Sequence, residues 1–411
     1  MNTKNKQSNN LPNLRFPGFE GEWERKKLGD VAKRINTKNH ENKINLVFSN
    51  SATQGIIFQV DYFDKNIANK SNLDGYYIVK PLNFVYNPRI SAHAEVGAMS
   101  LNKTGEIGLV SPLYTVFKIT DTSVDVLYIE ALFSSKVWHS YIRSIANYGA
   151  RDDRMSIKNE DFLTLSLKIP SIREQQKIAN FLNLIDERIQ TQMKIIEGLE
   201  KLIKGLQEQI FSQKLRFKDE NGNKFAGWED YLLSEILIKN SERNKRLKYA
   251  NIQSVSNKYG FINQEKLFED RRIASKNTSN YYIIRKGVFA YNPSRIDVGS
   301  LAYKFDDNTS IISPLYISFW VDQAYIVDEF LLNWFMTQYF TIQINNLFEG
   351  SVRNTLSFES FGKVKINLPS IEEQKAIANF LSSINQRIDN ERQLLTQYQN
   401  QKKFLLQNLF I

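Results

Sequence analysis

The sequence predicts an α+β protein: two domains of similar fold separated by a two-helix antiparallel coiled coil, the whole a pseudo-two-fold internal repeat. Three observations carry this expectation. A unit of roughly 200 residues is written twice, β-favouring runs broken by turn residues fill most of each copy, and an apolar heptad stripe closes both.

The repeat comes first, because a missed repeat misassigns everything built on it. Residues 170–189 and 369–388 share thirteen of twenty residues at an offset of 199. "LRF" at 14–16 returns at 215–217, and Trp23, Leu28 and Val31 are echoed by Trp228, Leu233 and Ile236. "FVYNPRI" (84–90) returns as "FAYNPSRI" (289–296), "VSPLY" (110–114) as "ISPLY" (312–316), and "GARDDRMSI" (149–157) more loosely as "GSVRNTLSF" (350–358). An offset wandering between 199 and 205 is what loop insertions in a duplicated unit produce. The boundaries read from it are a disordered or loosely packed arm (1–15), a first α+β domain (16–169), a first helix (170–215), a second domain (216–368) and a second helix (369–411).

Within each domain, runs such as "INLVFSN", "GIIFQV", "YYIVK" and "LYTVFKI" are rich in β-branched and aromatic residues and bounded by Gly, Asn, Asp or Pro, the pattern of short strands. Helical periodicity interrupts them in "YIEALFSSKVWHSYIRSIA" and "VDEFLLNWFMTQYFTIQINNLF". Beyond the domains, the first stripe runs Ile178, Leu182, Ile185, Ile189, Gln192, Ile196, Leu199, Ile203, Leu206, Ile210. The second runs Ile377, Leu381, Ile384, Ile388, Glu391, Leu395, Tyr398, Lys402, Leu405, Leu409. Steps of four and three alternate, the a/d spacing of a coiled coil. Ser171 and Ser370 are expected N-caps after a proline, with Glu174 and Glu373 three residues on as capping-box partners. Gln192 and Glu391 hold the same core position. In an antiparallel pair they would meet at its centre and fix register.

Composition narrows the functional classes. The 411 residues carry a net charge of +10, and the excess is distributed: 22 basic against 17 acidic side chains in residues 1–170, and 20 against 17 in residues 216–369. That balance suits nucleic-acid binding through a local basic face, and also ordinary solubilising charge. Cysteine is absent, which excludes disulfides, thiolate metal sites and cysteine nucleophiles. The polar start "MNTKNKQSNN" has no apolar segment behind it, so the expected location is cytoplasmic.

Catalytic patterns are missing. No G-x-x-x-x-G-K-[ST] loop and no glycine-rich cofactor turn occur. "YNPR" and "YNPS" lack the second proline and aromatic of the Asn-Pro-Pro-Tyr tetrapeptide with which amino-methyltransferases hold a flipped base. His40, His93 and His139 all lie in the first copy and cannot form a duplicated site, and the Asp152–Asp153 pair is flanked by Arg151 and Arg154. No cofactor and no metal are expected.

A helix from Ile178 to Ile210 spans about 50 Å. An antiparallel pair of that length places one domain at each end, which matches the two-fold symmetry of duplex DNA. Readers of split sites set their elements about 34–36 Å apart. Candidate DNA contacts are polar or basic residues at corresponding loops. Thr53 and Gln54, and Lys258 and Tyr259, precede the glycine of a hairpin. Arg89 and Arg295 follow the "YNP" turn. Arg151, Arg154 and Arg353 follow a glycine ahead of a strand. Arginine suits bidentate contacts to guanine or phosphate. Asn87 and Asn292 join this set, although an asparagine there can equally cap its own turn.

In "LRFPGFEGEWERKKLGDV", the "P-S-I-x-E-Q" that opens each helix, and "IANFL" followed by "I..RI" within both, the chain resembles the specificity subunit of type I restriction–modification enzymes, over essentially its whole length. The second copy departs from it with "FKDENGNKFAGW" in place of "FPGFEGEW". The resemblance implies two target-recognition domains, each reading half of a bipartite site in double-stranded DNA. It also implies helices that dock two methyltransferase subunits, restriction/translocase subunits that join through that complex, and no chemistry in the chain itself. A self-contained DNA methyltransferase or nuclease, and a coiled-coil scaffold without DNA binding, are the rival readings.

Overall fold

The strand Glu24–Lys27 pairs antiparallel with Ser166–Ile169, so the first and last strands of the first domain close on each other. Glu229–Leu232 and Lys365–Leu368 do the same in the second. These belong to a computed structural model that describes residues 10–59, 73–148, 154–264, 277–348 and 355–411. The chain forms two units, residues 1–193 with 394–411, and residues 194–393.

In the first unit a four-stranded antiparallel sheet runs in the order Ala32–Ile35, Thr115–Ile119, Phe84–Asn87, Ala98–Leu101. Over it lie the hairpin Phe48–Ser51 with Gly55–Phe58 and the pair Tyr77–Val79 with Gly108–Val110, joined by one parallel bridge between Val47 and Leu109. The second unit repeats the order as Leu237–Lys239, Ile317–Val321, Phe289–Tyr291, Leu301–Tyr303. Its second layer is one sheet, with Ile252–Gln253 parallel to Ile311–Ile312. The repeated phenylalanines explain the match. Phe84 and Phe117 are cross-strand partners stacked at 5.0 Å, Phe289 and Phe319 at 5.3 Å, and all four are fully buried. Such pairs are the unit of sheet stabilisation.

Each expected helical stretch is two short helices. Val126–Ser134 and His139–Ile145 are separated where the Trp138 indole N–H turns back to the carbonyls of Phe133 and Ser135. Asp328–Trp334 and Gln338–Asn345 are separated at Thr337, whose hydroxyl caps the Phe340 N–H.

The two long helices, Ile172–Phe211 and Ile371–Asn408, have 40 and 38 residues. Ile178, Leu182, Ile189, Ile196, Ile203, Ile210, Ile377, Leu381, Ile388, Leu405 and Leu409 are buried along them, and Ile185, Leu199, Leu206, Ile384 and Leu395 half-buried. Pairing within the units runs antiparallel. In the first, Ile178 and Leu182 share a core with Leu405, Leu409 and Phe410, Asp186 bonds Lys402, and Arg188 lies 5.3 Å from the Tyr398 ring. In the second, Glu200 accepts from Arg392 at 2.6 Å. Gln192 and Glu391 are both buried despite their polarity, at 5% and 7% exposure.

At each helix start the serine hydroxyl accepts the N–H of the glutamate three residues on, at 3.4 Å in both copies. The glutamate side chains do not complete the capping box expected of them. Glu174 takes both arms of Arg15 at 2.7 and 2.8 Å, and Glu373 those of Arg216 at 2.8 Å each. A guanidinium fork satisfies both carboxylate oxygens at once, which one backbone N–H cannot. The adjacent glutamines are equally committed. Gln175 accepts from the Asp125 N–H and donates to the Ser123 and Pro170 carbonyls, while Gln374 accepts from the Val327 N–H and donates to Tyr325 and Pro369. Phe16 packs edge-on against Phe181, and Phe217 against Phe380. Asn10 to Arg15, expected as a loose arm, are thereby tied down, Leu14 also donating its N–H to the Asn408 carbonyl. Residues 1–9 of that arm lie outside the described residues.

Because Glu174 and Glu373 are buried with a guanidinium as partner, Glu174→Ala or Glu373→Ala strands a cation and should cost about 3 kcal/mol. Urea denaturation of the full chain measures this. Glu373→Gln, which keeps one acceptor, should lose less.

Candidate nucleic-acid interface

The candidate contacts sit where strands end. In the first hairpin the Ser51 hydroxyl accepts the N–H groups of Thr53 and Gln54, both at 3.3 Å, and Gly55 closes the turn at φ +71°. Ser256 does the same for Lys258 and Tyr259, at 3.2 and 3.3 Å, with Gly260 at +64°. Both tips are therefore held by their own serine, and all four side chains are exposed.

The asparagines of "YNP" spend their side-chain oxygens on the turn. Asn87 accepts the Arg89 N–H at 3.1 Å, and Asn292 the Ser294 N–H at 3.0 Å. The two arginines are consequently not equivalent. Ser294 occupies the place of Arg89, and Arg295 comes one residue later, where its N–H donates to the Asn292 carbonyl at 3.0 Å. Both arginines are exposed.

The two units build one further joint alike. The Met155 N–H donates to the Pro88 carbonyl, as the Leu356 N–H does to that of Pro293. In the first unit this brings Arg154 into a bridge with Arg89. Beside the joint is a cleft of about 440 Å³ lined by Tyr86, Pro88, Leu113, Tyr114, Arg34 and Arg154, among others. Burial pushes the Tyr114 hydroxyl up, while the nearby Arg154 and Arg89 pull it down. Gly97 lets this corner form. Its φ is +83°, and a Cβ there would come within 2.3 Å of the Asn87 carbonyl oxygen. Arg151 and Arg353 lie outside the described residues, as do Asp152 and Asp153.

Thr53 and Gln54 face elsewhere. They line a cavity of about 740 Å³ together with Lys136, Asp186, Gln190 and Lys402. Lys103, Lys136 and Lys402, near it, are paired with Glu130, Glu95 and Asp186. The expected set of contacts therefore divides between two places in this unit, and Arg89 with Arg154 forms the more basic one. Arg34, Leu113 and Tyr114 were not singled out from sequence, although the repeated "SPLY" was the signal for Leu113 and Tyr114. Among the described residues, no group of three or more histidine, aspartate or glutamate side chains could hold a metal ion, and no helix is long and apolar enough to cross a membrane.

A family model described as the type I restriction modification DNA specificity domain matches residues 226–399. The curated Type I restriction enzyme MjaVIII specificity subunit of Methanocaldococcus jannaschii is 26% identical over 321 residues, which is 74% of this chain and 73% of that protein. The second unit thus matches the type I specificity domain, and most of the chain is similar to a type I specificity subunit. Solved structures share its fold. The S subunit of a type I restriction–modification system from M. genitalium superimposes with a TM-score of 0.57 at 16% identity, over 98% of this chain and 99% of that one. A chain from a structure described as the basis of complex assembly and conformational transition of the type I R-M system gives 0.56 at 12%, over 97% and 99%.

The turn bonds give Asn87 and Asn292 a structural role. Asn87→Ala and Asn292→Ala should each lower stability by about 1 kcal/mol. Gly97→Ala should cost more than either, because it combines backbone strain with a collision. Thermal denaturation of the purified variants ranks the three.

Proposed function

We propose that this chain is the DNA-reading subunit of a type I restriction–modification complex, each unit recognising one half of a bipartite, non-palindromic site in double-stranded DNA. The helix pair sets the spacing of the half-sites and docks two methyltransferase subunits. Restriction/translocase subunits join through that complex, and the chain itself performs no bond chemistry. It works with the cell's DNA in the cytoplasm.

The observation that carries this reading is a repeated frame bearing unlike loops. Strand order, the stacked phenylalanine pair and the serine-held hairpin recur in both units, yet the tips read Thr53–Gln54 in one and Lys258–Tyr259 in the other. Two readers on one plan recognise two different sequences. Arg89 and Arg154, both in the first unit, suit backbone contacts that position the unit on DNA without specifying bases. Arg295 serves the second unit in the same way, and Arg151 and Arg353 complete the proposed set.

Mapping methylated bases in DNA from cells carrying the chain with its methyltransferase should yield two unlike half-sites at a fixed spacing. Exchanging residues 217–367 for another such domain should change one half-site and leave the other intact. If both changed, or neither, the division of labour would be wrong. Binding by the assembled complex should weaken steeply with salt, as phosphate contacts require. Replacing Gln192 and Glu391 together by leucine should stabilise the helix pair and broaden the tolerated spacing, read in the same methylation map.

A further inference from the structure

Each unit also holds a leucine out in water at the same place. After the strands Gly108–Val110 and Ser310–Ile312, the hydroxyls of Ser111 and Ser313 accept the N–H groups of Leu113 and Leu315, both at 3.3 Å. The same serines' carbonyls accept the N–H groups of Tyr114 and Tyr316, at 3.0 and 3.1 Å. These rigid turns leave Leu113 56% and Leu315 79% exposed. A single exposed leucine is ordinary on a protein surface. Here the exposure recurs in both copies on one turn geometry, and Leu113 shares its cleft with Arg34 and Arg154.

That combination fits one kind of occupant. Guanidinium groups fit phosphates, and the 5-methyl group of thymine is the apolar feature a base pair shows in the major groove. We propose that Leu113 and Leu315 are specificity-determining residues that contact thymine methyl groups, one in each half-site. The inference rests on the DNA-reading function proposed above and assigns its residues.

The test uses the full chain assembled with its methyltransferase subunits. The half-site that survives exchange of residues 217–367 belongs to the first unit. Duplexes carrying the mapped site are made with each thymine of that half-site replaced in turn by deoxyuridine, which lacks only the methyl group. At one position the wild-type complex should bind the uracil duplex about fourfold more weakly, the factor one buried methyl group supplies. Leu113→Ala should bind the thymine duplex more weakly by the same factor and not distinguish the two bases there. Leu315→Ala should show this pattern only in the other half-site.

Equal thymine-to-uracil ratios in wild type and Leu113→Ala at every position would overturn the proposal, as would a first half-site without thymine. In both cases selective binding by the wild type would leave the broader reading standing. A wild-type complex that binds no duplex selectively overturns both.

Discussion

The fold depends on a buried carboxylate at the start of each long helix. Glu174 and Glu373 are almost without solvent contact, and each is held by a guanidinium that reaches it from ahead of the domain, while the helix follows the domain. The chain leaves this point, folds a whole domain and returns to it. A buried charge of this kind adds less net stability than its short bonds imply, since desolvation offsets much of the attraction. It does penalise every arrangement in which the partner is missing. With the neighbouring glutamine bonding the start of a domain helix, the clamp fixes how each helix leaves its own domain.

The helix pair extends the same logic. Its apolar stripe supplies attraction without direction, because leucine and isoleucine pack against one another in many registers. Direction comes from the polar members. Lys402 breaks the apolar pattern and meets Asp186, and Arg392 meets Glu200. Such pairs are worth little individually where exposed. A slipped register would separate them together, so their contribution lies in excluding alternatives.

Much of this was legible in the sequence, for a physical reason: heptads, strand runs and repeats are local patterns with fixed periods. Partners distant in the chain were not legible. Glu174 stands where a capping box would place it, and nothing within four residues reveals Arg15 as its partner. The parallel contact between Val47 and Leu109 joins segments with no shared pattern. At the candidate interface the repeated "YNP" was visible, but the extra residue in "YNPSR" moves its arginine off the position of Arg89. The hydrogen bonds of Asn87 and Asn292 show that Ser294, and not Arg295, takes the place of Arg89. The exposed leucines escaped notice because exposure is a property of the folded turn.

The first unit contains chain from both halves of the sequence, since Leu405, Leu409 and Phe410 complete the core begun by Trp23, Leu28 and Tyr128. On the ribosome, residues 1–193 emerge before residues 394–411 and must wait, with that apolar surface uncovered, until those are made. The second unit, continuous from 194 to 393, can close earlier. Order of synthesis and order of completion of the two units are thus reversed, and the earlier-made unit is the one exposed longest to aggregation and to proteases.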